Sequence, residues 1–391
     1  MKPKSPRTPN AHLRRRQILI LGYGTSVLGF CSAFRSEWAE ITFIGDVEDL
    51  APQVVRHGVA AGLLQRNQVT HKALHQSSKK FGFRCKNGRV DRVDPEKRQV
   101  FLEGESEALH YDYLLVGNQA DPVPSNTTAT FPLNSLAQAE RFQQFMLNTA
   151  SDTPLCVVGG DASCIDLAAS LTRPVTSGKG PSRKVILECR GGFAFANRNV
   201  KPKIEDRIAR QLRWEAISLL DTETIQQMKR DAITVDPHLP EPPLWLQQLL
   251  GLAPNQFAGK QVVRPDLRLR EHERLFLLPE LVQIVDSVGK TMARDDAALQ
   301  QQGRYLARLL RGVIEVRRGF TVDQPGFVYH DSLQLATVRK GKSVGFVGPL
   351  SLPGPLAFVI DMVLSKYPVF RRNDGSVRGA FQMLRWLKHC K

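Results

Sequence analysis

The sequence predicts an α/β protein with two Rossmann-like dinucleotide-binding domains and a small C-terminal α+β region. Residues 17–34, QILILGYGTSVLGFCSAF, and residues 154–171, PLCVVGGDASCIDLAASL, share one plan. Each is a short apolar strand, a glycine turn and a helix of small residues, which is how a dinucleotide-binding βαβ unit begins. After Arg16 such strands alternate with helical patterns, the order of a parallel, helix-covered sheet. With 391 residues, 42% of them hydrophobic and 24% charged, the chain has enough apolar material for two or three packed units.

QILIL (17–21) reads as a buried parallel strand, 25–35 as its helix and ITFI (41–44) as the second strand. Residues 50–80 are polar. VDRVDPEKRQVFL alternates around a proline-containing turn, as a hairpin does. YDYLLV (111–116) is a further buried strand, and residues 121–130 form a Pro/Ser/Thr-rich link before a helix over 135–147. KVILE (184–188) is the second strand of the second unit. Pro237, Pro240, Pro242 and Pro243 mark a break or linker over 233–245. Residues 267–281 read as a loop and strand returning to the first unit, 291–313 as a long helix and 327–348 as a small antiparallel unit.

A phosphate-binding turn needs glycine where the chain doubles back and where backbone N–H groups meet the pyrophosphate. Gly22 and Gly24 stand at those places and Thr25 opens the helix; the third glycine position is Val27, and Gly29 comes two residues late. Asp46, after the second strand, is placed to hold a ribose or to cap a helix. In the second turn Gly159 and Gly160 are present, but Asp161 and Cys164 replace the later glycines. A carboxylate at Asp161 faces the pyrophosphate unfavourably. Glu188, ending KVILE, sits where a ribose ligand belongs.

The net charge of +16 is concentrated at the two ends and suits nucleic acid or anionic lipid. The first sixteen residues read as a solvated basic tail without the apolar core of a secretory signal. No apolar run reaches membrane-spanning length. Val377, Phe381, Leu384 and Leu387 fall on one helical stripe with Trp386 beside it, and Arg378, Arg385, Lys388 and Lys391 flank it. A basic amphipathic helix with an interfacial tryptophan suits an anionic membrane surface, here through 371–391; the same stripe serves a helix docked on its own domain or on a homodimer partner. LPGPLAFVIDMVL (352–364) is either a second contact or core. The six cysteines, without CxxC spacing, read as reduced structural thiols, and the nine histidines show no metal-ligand spacing, so no metal is expected. No DNA-reading helix or aromatic-basic motif is evident, so no nucleic-acid partner is expected.

Read together, the segments resemble the type II NADH dehydrogenases, within the two-dinucleotide-binding flavoprotein superfamily. HYDYLLVGNQADPVP (110–124) resembles the family's crossing between domains beside the flavin, and TFPLNSLAQAERFQQFM (130–146) the helix after it. CVVGGDASCIDLAASL (156–171) resembles the NADH-binding turn, and VRPDLRLREHERLFLLPELV (263–282) the segment that ends in a flavin-contacting Gly-Asp. QQQGRYLARLL (300–310) and GAFQMLRWLKHC (379–390) resemble the following helix and the membrane-facing terminal helix. The order holds over roughly residues 17–390. Asn118 stands where the family has threonine, Pro279-Glu280 replaces Gly-Asp, and Asp166 keeps the family's helix acid in kind.

The resemblance implies FAD at the first unit, with Gly22, Gly24, Thr25, Asp46, Asn118 and Glu280 as contacts. It implies NAD(P)H at the second, through Gly159, Gly160 and Glu188. Hydride would pass from NAD(P)H to flavin and electrons to a quinone or another small-molecule acceptor, on the cytoplasmic side of a membrane and peripheral to it. The flavin carries that chemistry, so no catalytic side chain is singled out. The altered turns leave two alternatives: a flavoprotein-derived scaffold without NADH turnover, and a biosynthetic flavoenzyme with another acceptor. The expected division is a basic tail over 1–16, an FAD domain over 17–150 and 263–315, an NAD(P)H-binding-like domain over 151–262, and a C-terminal domain over 316–391.

Overall fold

The computed structural model describes residues 15–22, 24–45, 51–66, 82–118, 130–150, 152–172, 183–189, 194–195, 198–199, 202–214, 217–220, 232–253, 256–257, 262–282, 284, 294–315, 326–329, 334–339, 342–347 and 350–363. Asp46 and the basic segment 371–391 lie outside them.

The first sheet holds β1 (Arg16–Leu21), β2 (Ala39–Ile44), β3 (Arg84–Lys86), β7 (Tyr113–Val116) and β15 (Leu275–Leu277) in the order β15-β7-β1-β2-β3. Every pairing is parallel. Ile18, Ile20, Leu21, Leu114, Leu115 and Val116 are completely buried, as expected of a parallel sheet covered on both faces. β15 joins after the chain has left for the second unit and returned. Between β3 and β7, β4 (Val90–Asp94), β5 (Gln99–Leu102) and β6 (Leu109–His110) form an antiparallel insert. Its first turn is fixed by Asp94 Oδ1, which accepts the Lys97 N–H at 2.9 Å, and by Arg98 at φ 55°.

The second sheet runs β13 (Ile217–Leu220), β10 (Val185–Glu188), β9 (Leu155–Val158), β14 (Ile233–Asp236) and β8 (Thr130–Pro132), again all parallel. Residues 130–147, which the sequence assigns to the first unit, supply β8 and a helix of this second core. The segment 233–245, expected as a linker, contains β14 in the sheet interior; its prolines begin only after Asp236. Among the described residues, Ala194–Phe195 (β11) and Arg198–Asn199 (β12) form a short hairpin.

The helices are α1 (Thr25–Ala33), α2 (Gln53–Ala60), α3 (Leu136–Leu147), α4 (Ala162–Leu171), α5 (Pro202–Trp214), α6 (Leu244–Leu250), α7 (Asp296–Glu315) and α8 (Gly354–Asp361). α3 starts with a capping box: Ser135 Oγ accepts the Gln138 N–H at 3.1 Å, and Gln138 Oε1 accepts the Ser135 N–H at 3.1 Å. α1 and α7 cross so closely that a Cβ on Gly303 would lie 2.0 Å from Ser26 O, and one on Gly29 would lie 2.5 Å from Gln300 O. Gly29, late for the turn motif, thus serves this crossing.

The C-terminal unit is the antiparallel sheet β16 (Gln334–Arg339), β17 (Lys342–Val347) and β18 (Leu350–Ser351), with α8 against it. Thr337 Oγ1 donates to the buried Asp361 at 2.6 Å, and the Thr337 N–H donates to Asp166 on α4. The acid expected as a family feature of the second unit therefore ties that unit to the C-terminal sheet. Leu356 and Val359 on the outer side of α8, and Val363 just beyond its end, are 49%, 57% and 56% exposed. This segment, read as contact or core, has a buried side at Ala357 and Met362 and an exposed apolar side. No described helix is long and apolar enough to cross a membrane.

Candidate functional site

The first turn leaves β1 at Leu21. Gly22 has φ 79°, and a Cβ there would stand 2.1 Å from Asn118 O, so the tip of β7 closes over it. At Gly24 a Cβ would lie 2.2 Å from Glu280 Oε1. The Glu280 carboxylate sits on the start of α1: Oε1 accepts the Ser26 N–H at 2.8 Å and Oε2 accepts Ser26 Oγ–H at 2.5 Å. Thr25 Oγ1 donates to Asp296 Oδ1 at 2.6 Å, and Asp296 also accepts the Gln53 N–H that opens α2. The Asn118 side chain accepts the Glu241 N–H at 3.1 Å, joining β7 to the proline-rich loop of the second unit.

An α-helix N-terminus is where a dinucleotide phosphate finds free N–H groups. The turn keeps glycine at Gly22 and Gly24, but the Glu280 carboxylate already occupies the Ser26 N–H and hydroxyl, so a dinucleotide phosphate at this helix start must displace it. The glycines fit a flavin dinucleotide at this turn once Ser26 is released to the cofactor, Glu280 then being left as an acceptor for a ligand hydroxyl or N–H.

Burial pushes the Glu280 carboxyl above its ordinary range, against the bonds from Ser26 and the charge of Arg56. A raised folded-state pKa gives stability that is complete below the unfolded value of about 4.3 and is lost as pH rises through the folded value. Glu280→Gln removes that loss. Its melting temperature, relative to the parent protein, is expected to rise as pH increases above the unfolded value of about 4.3; parallel curves would remove Glu280 from this role.

The second turn is closed more tightly. Gly159 has φ 127° and donates its N–H to Glu188 O at 3.0 Å; a Cβ there would meet Cys164 Sγ at 2.4 Å. Gly160 is half-buried beside it. Asp161 caps α4, accepting the Cys164 N–H at 3.0 Å and Ser163 Oγ–H at 2.8 Å, and pairs with His238 Nε2 at 2.7 Å. Burial opposes the Asp161 charge, but His238 and the two hydrogen bonds outweigh it and hold the carboxyl well below its usual range. The carboxylate expected to face the pyrophosphate sits on the helix N-terminus itself, so a phosphate there must displace it.

Glu188 is buried at the end of β10 beside β9. Asp161, Cys164 and His238 bring ligand-type atoms within 4.8 Å of one another, a grouping that sequence spacing hid. The cap and the ion pair account for it without an ion, and burial first, then Asp161 and Asp236, push the Cys164 thiol far above its ordinary range.

Three residues of this region escaped sequence reading: His238, Asp296 and Arg294. Arg294, just before α7, gives its carbonyl to Gln53 Nε2 at 2.9 Å and donates from Nη1 to His238 O at 2.7 Å, bridging the units. No motif marks it; its position after the return strand is the only signal.

No protein-family model matches the chain. Ferroptosis suppressor protein 1 of Taeniopygia guttata is 22% identical over 371 residues, covering 92% of this chain and 87% of its own length. The structure of NDH2 from Plasmodium falciparum in complex with NADH is similar at a TM-score of 0.67 and 13% identity, over 96% of this chain and 98% of that one. The sulfide:quinone oxidoreductase of Aquifex aeolicus is similar at a TM-score of 0.56 and 13% identity, over 94% of each chain. The likeness read from six sequence segments thus extends to the fold of nearly the whole chain: two Rossmann-like units and a C-terminal region, as in type II NADH dehydrogenase.

Proposed function

We propose that this chain is an FAD-dependent oxidoreductase that passes a hydride from NAD(P)H to flavin and electrons to a quinone at a membrane surface. The observation that carries the reading is the retained first turn, Gly22 to Ser26 with Glu280 upon it, inside a fold shared with NADH- and quinone-linked enzymes over almost its full length. FAD supplies the two-electron chemistry when bound. The chain's own part is to hold the dinucleotide at the start of α1, to offer Glu280 as acceptor, and to bring the second unit against the first through Asn118–Glu241 and Arg294–His238.

The exposed side of α8 and the basic segment 371–391 support attachment to an anionic bilayer from the cytoplasmic side, a homodimer being the other occupant of that face. The domain division expected from sequence is retained as part of this reading, with 130–147 moved to the second unit.

The test is quinone-dependent NADH oxidation by the purified protein with and without anionic vesicles. Turnover that rises on vesicles and falls with salt supports the reading; turnover with soluble acceptors alone favours the biosynthetic flavoenzyme. The scaffold alternative is favoured by one observation, that both nucleotide helices begin on an internal carboxylate. It requires that neither dinucleotide binds.

A further inference from the structure

Arg294 carries a donor that the protein does not use. Its Nη1 is spent on His238 O at 2.7 Å, while Nη2 is shut from solvent and meets no acceptor among the described residues. A bare donor on a buried guanidinium is expensive, and such orphans need an explanation. The carboxylates whose charge reaches Arg294 are Asp236, Glu280 and Asp161. Each is already engaged: Asp236 by the His238 N–H at 2.9 Å, Glu280 by Ser26, and Asp161 by Cys164, Ser163 and His238. The guanidinium therefore lies between the two nucleotide turns, neutralised at a distance and one hydrogen bond short. A planar guanidinium is suited to a phosphate oxyanion.

We propose that Arg294 is an anion-binding residue at the junction of the two units, its Nη2 taking a phosphate oxygen of a dinucleotide. This rests on the oxidoreductase reading for the ligand class, and the shared chemistry is the pyrophosphate of FAD or of NAD(P)H.

The experiment is equilibrium binding of FAD, NADH and inorganic pyrophosphate to the apo full-length protein and to Arg294→Gln and Arg294→Lys, with thermal melts alongside. Arg294→Gln is expected to weaken one dinucleotide and pyrophosphate by about 10- to 100-fold, on the order expected of a lost charge-assisted contact. Arg294→Lys keeps the charge and should lose less. The dinucleotide that weakens identifies the source of the phosphate. The apo melting temperature of Arg294→Gln falls because the Nη1–His238 bond is lost; the discriminating readout is the rise in melting temperature on adding pyrophosphate, which should shrink in Arg294→Gln, whereas a purely structural bridge would leave that rise as in the parent.

Unchanged affinities in a parent protein that binds a dinucleotide would overturn the proposal and leave the oxidoreductase reading standing. Arginine-dependent pyrophosphate binding without FAD or NADH binding would uphold the site and sink that reading. A parent protein that binds none of the three would overturn both.

Discussion

Gly303→Ala destabilises the first unit by about 3 kcal/mol or more, and Gly303→Val leaves no folded protein, because the nearest atoms are backbone and cannot move aside. The added Cβ would stand 2.0 Å from Ser26 O and 2.7 Å from Phe30 N, both main-chain atoms of α1. Gly29 meets Gln300 O in the same way from the other side. Relief requires α1 and α7 to separate, and α1 carries the first turn with Ser26 bound to Glu280. Flavin content should therefore fall together with stability. Gly312 on the same helix has open space where a Cβ would go, with nothing within 4 Å, so Gly312→Ala should be neutral or gain up to about 1 kcal/mol from helix propensity. Urea unfolding of the parent and the two alanine variants checks this; equal midpoints for those variants would show that the helices do not touch here.

Asp161→Ala costs about 2 kcal/mol or more, the usual consequence of removing a buried hydrogen-bond partner together with a helix cap. The substitution uncaps α4 and strands His238, whose side chain is only 13% exposed. Because the carboxyl is held well below its ordinary range, its contribution is present above the unfolded value of about 3.9 and is lost as pH falls through the folded value. The parent and Asp161→Ala curves should accordingly converge below about pH 4. Read from sequence alone, Asp161→Gly should enhance NADH reduction by clearing the phosphate path. The His238 partnership changes that expectation: glycine clears the path but loses the same contact. Asp161→Asn, which keeps a capping oxygen and drops the charge, separates the two effects. Thermal melts give the stability term and NADH titrations the binding term; an Asp161→Ala melt unchanged at pH 7 would contradict the cap and the Asp161–His238 contact.

The parallel strands were legible because a strand covered on both faces is apolar without interruption, as ILIL (18–21) and YLLV (113–116) are. The return of a loop and strand over 267–281 to the first sheet was legible as well, and β15 pairs there with β7. β14 was hidden because Pro237 and its neighbours dominate the composition of a segment whose first four residues are strand. The site was half legible. Gly22, Gly24 and Glu280 could be placed from spacing and resemblance, and they come together. That Glu280 reaches the start of α1 depends on contact across 254 positions, which no local pattern carries. His238 and Arg294 owe their places to the loops that carry them, and loops lack the periodicity by which helices and strands announce themselves.

The measurement that bears most directly on the proposed activity is the visible spectrum of the purified protein, taken after FAD reconstitution, before and after anaerobic NADH. A bound flavin band that bleaches with NADH and returns on adding a quinone is the predicted result. A protein that stays colourless after reconstitution, or a flavin that NADH leaves oxidised, would contradict it.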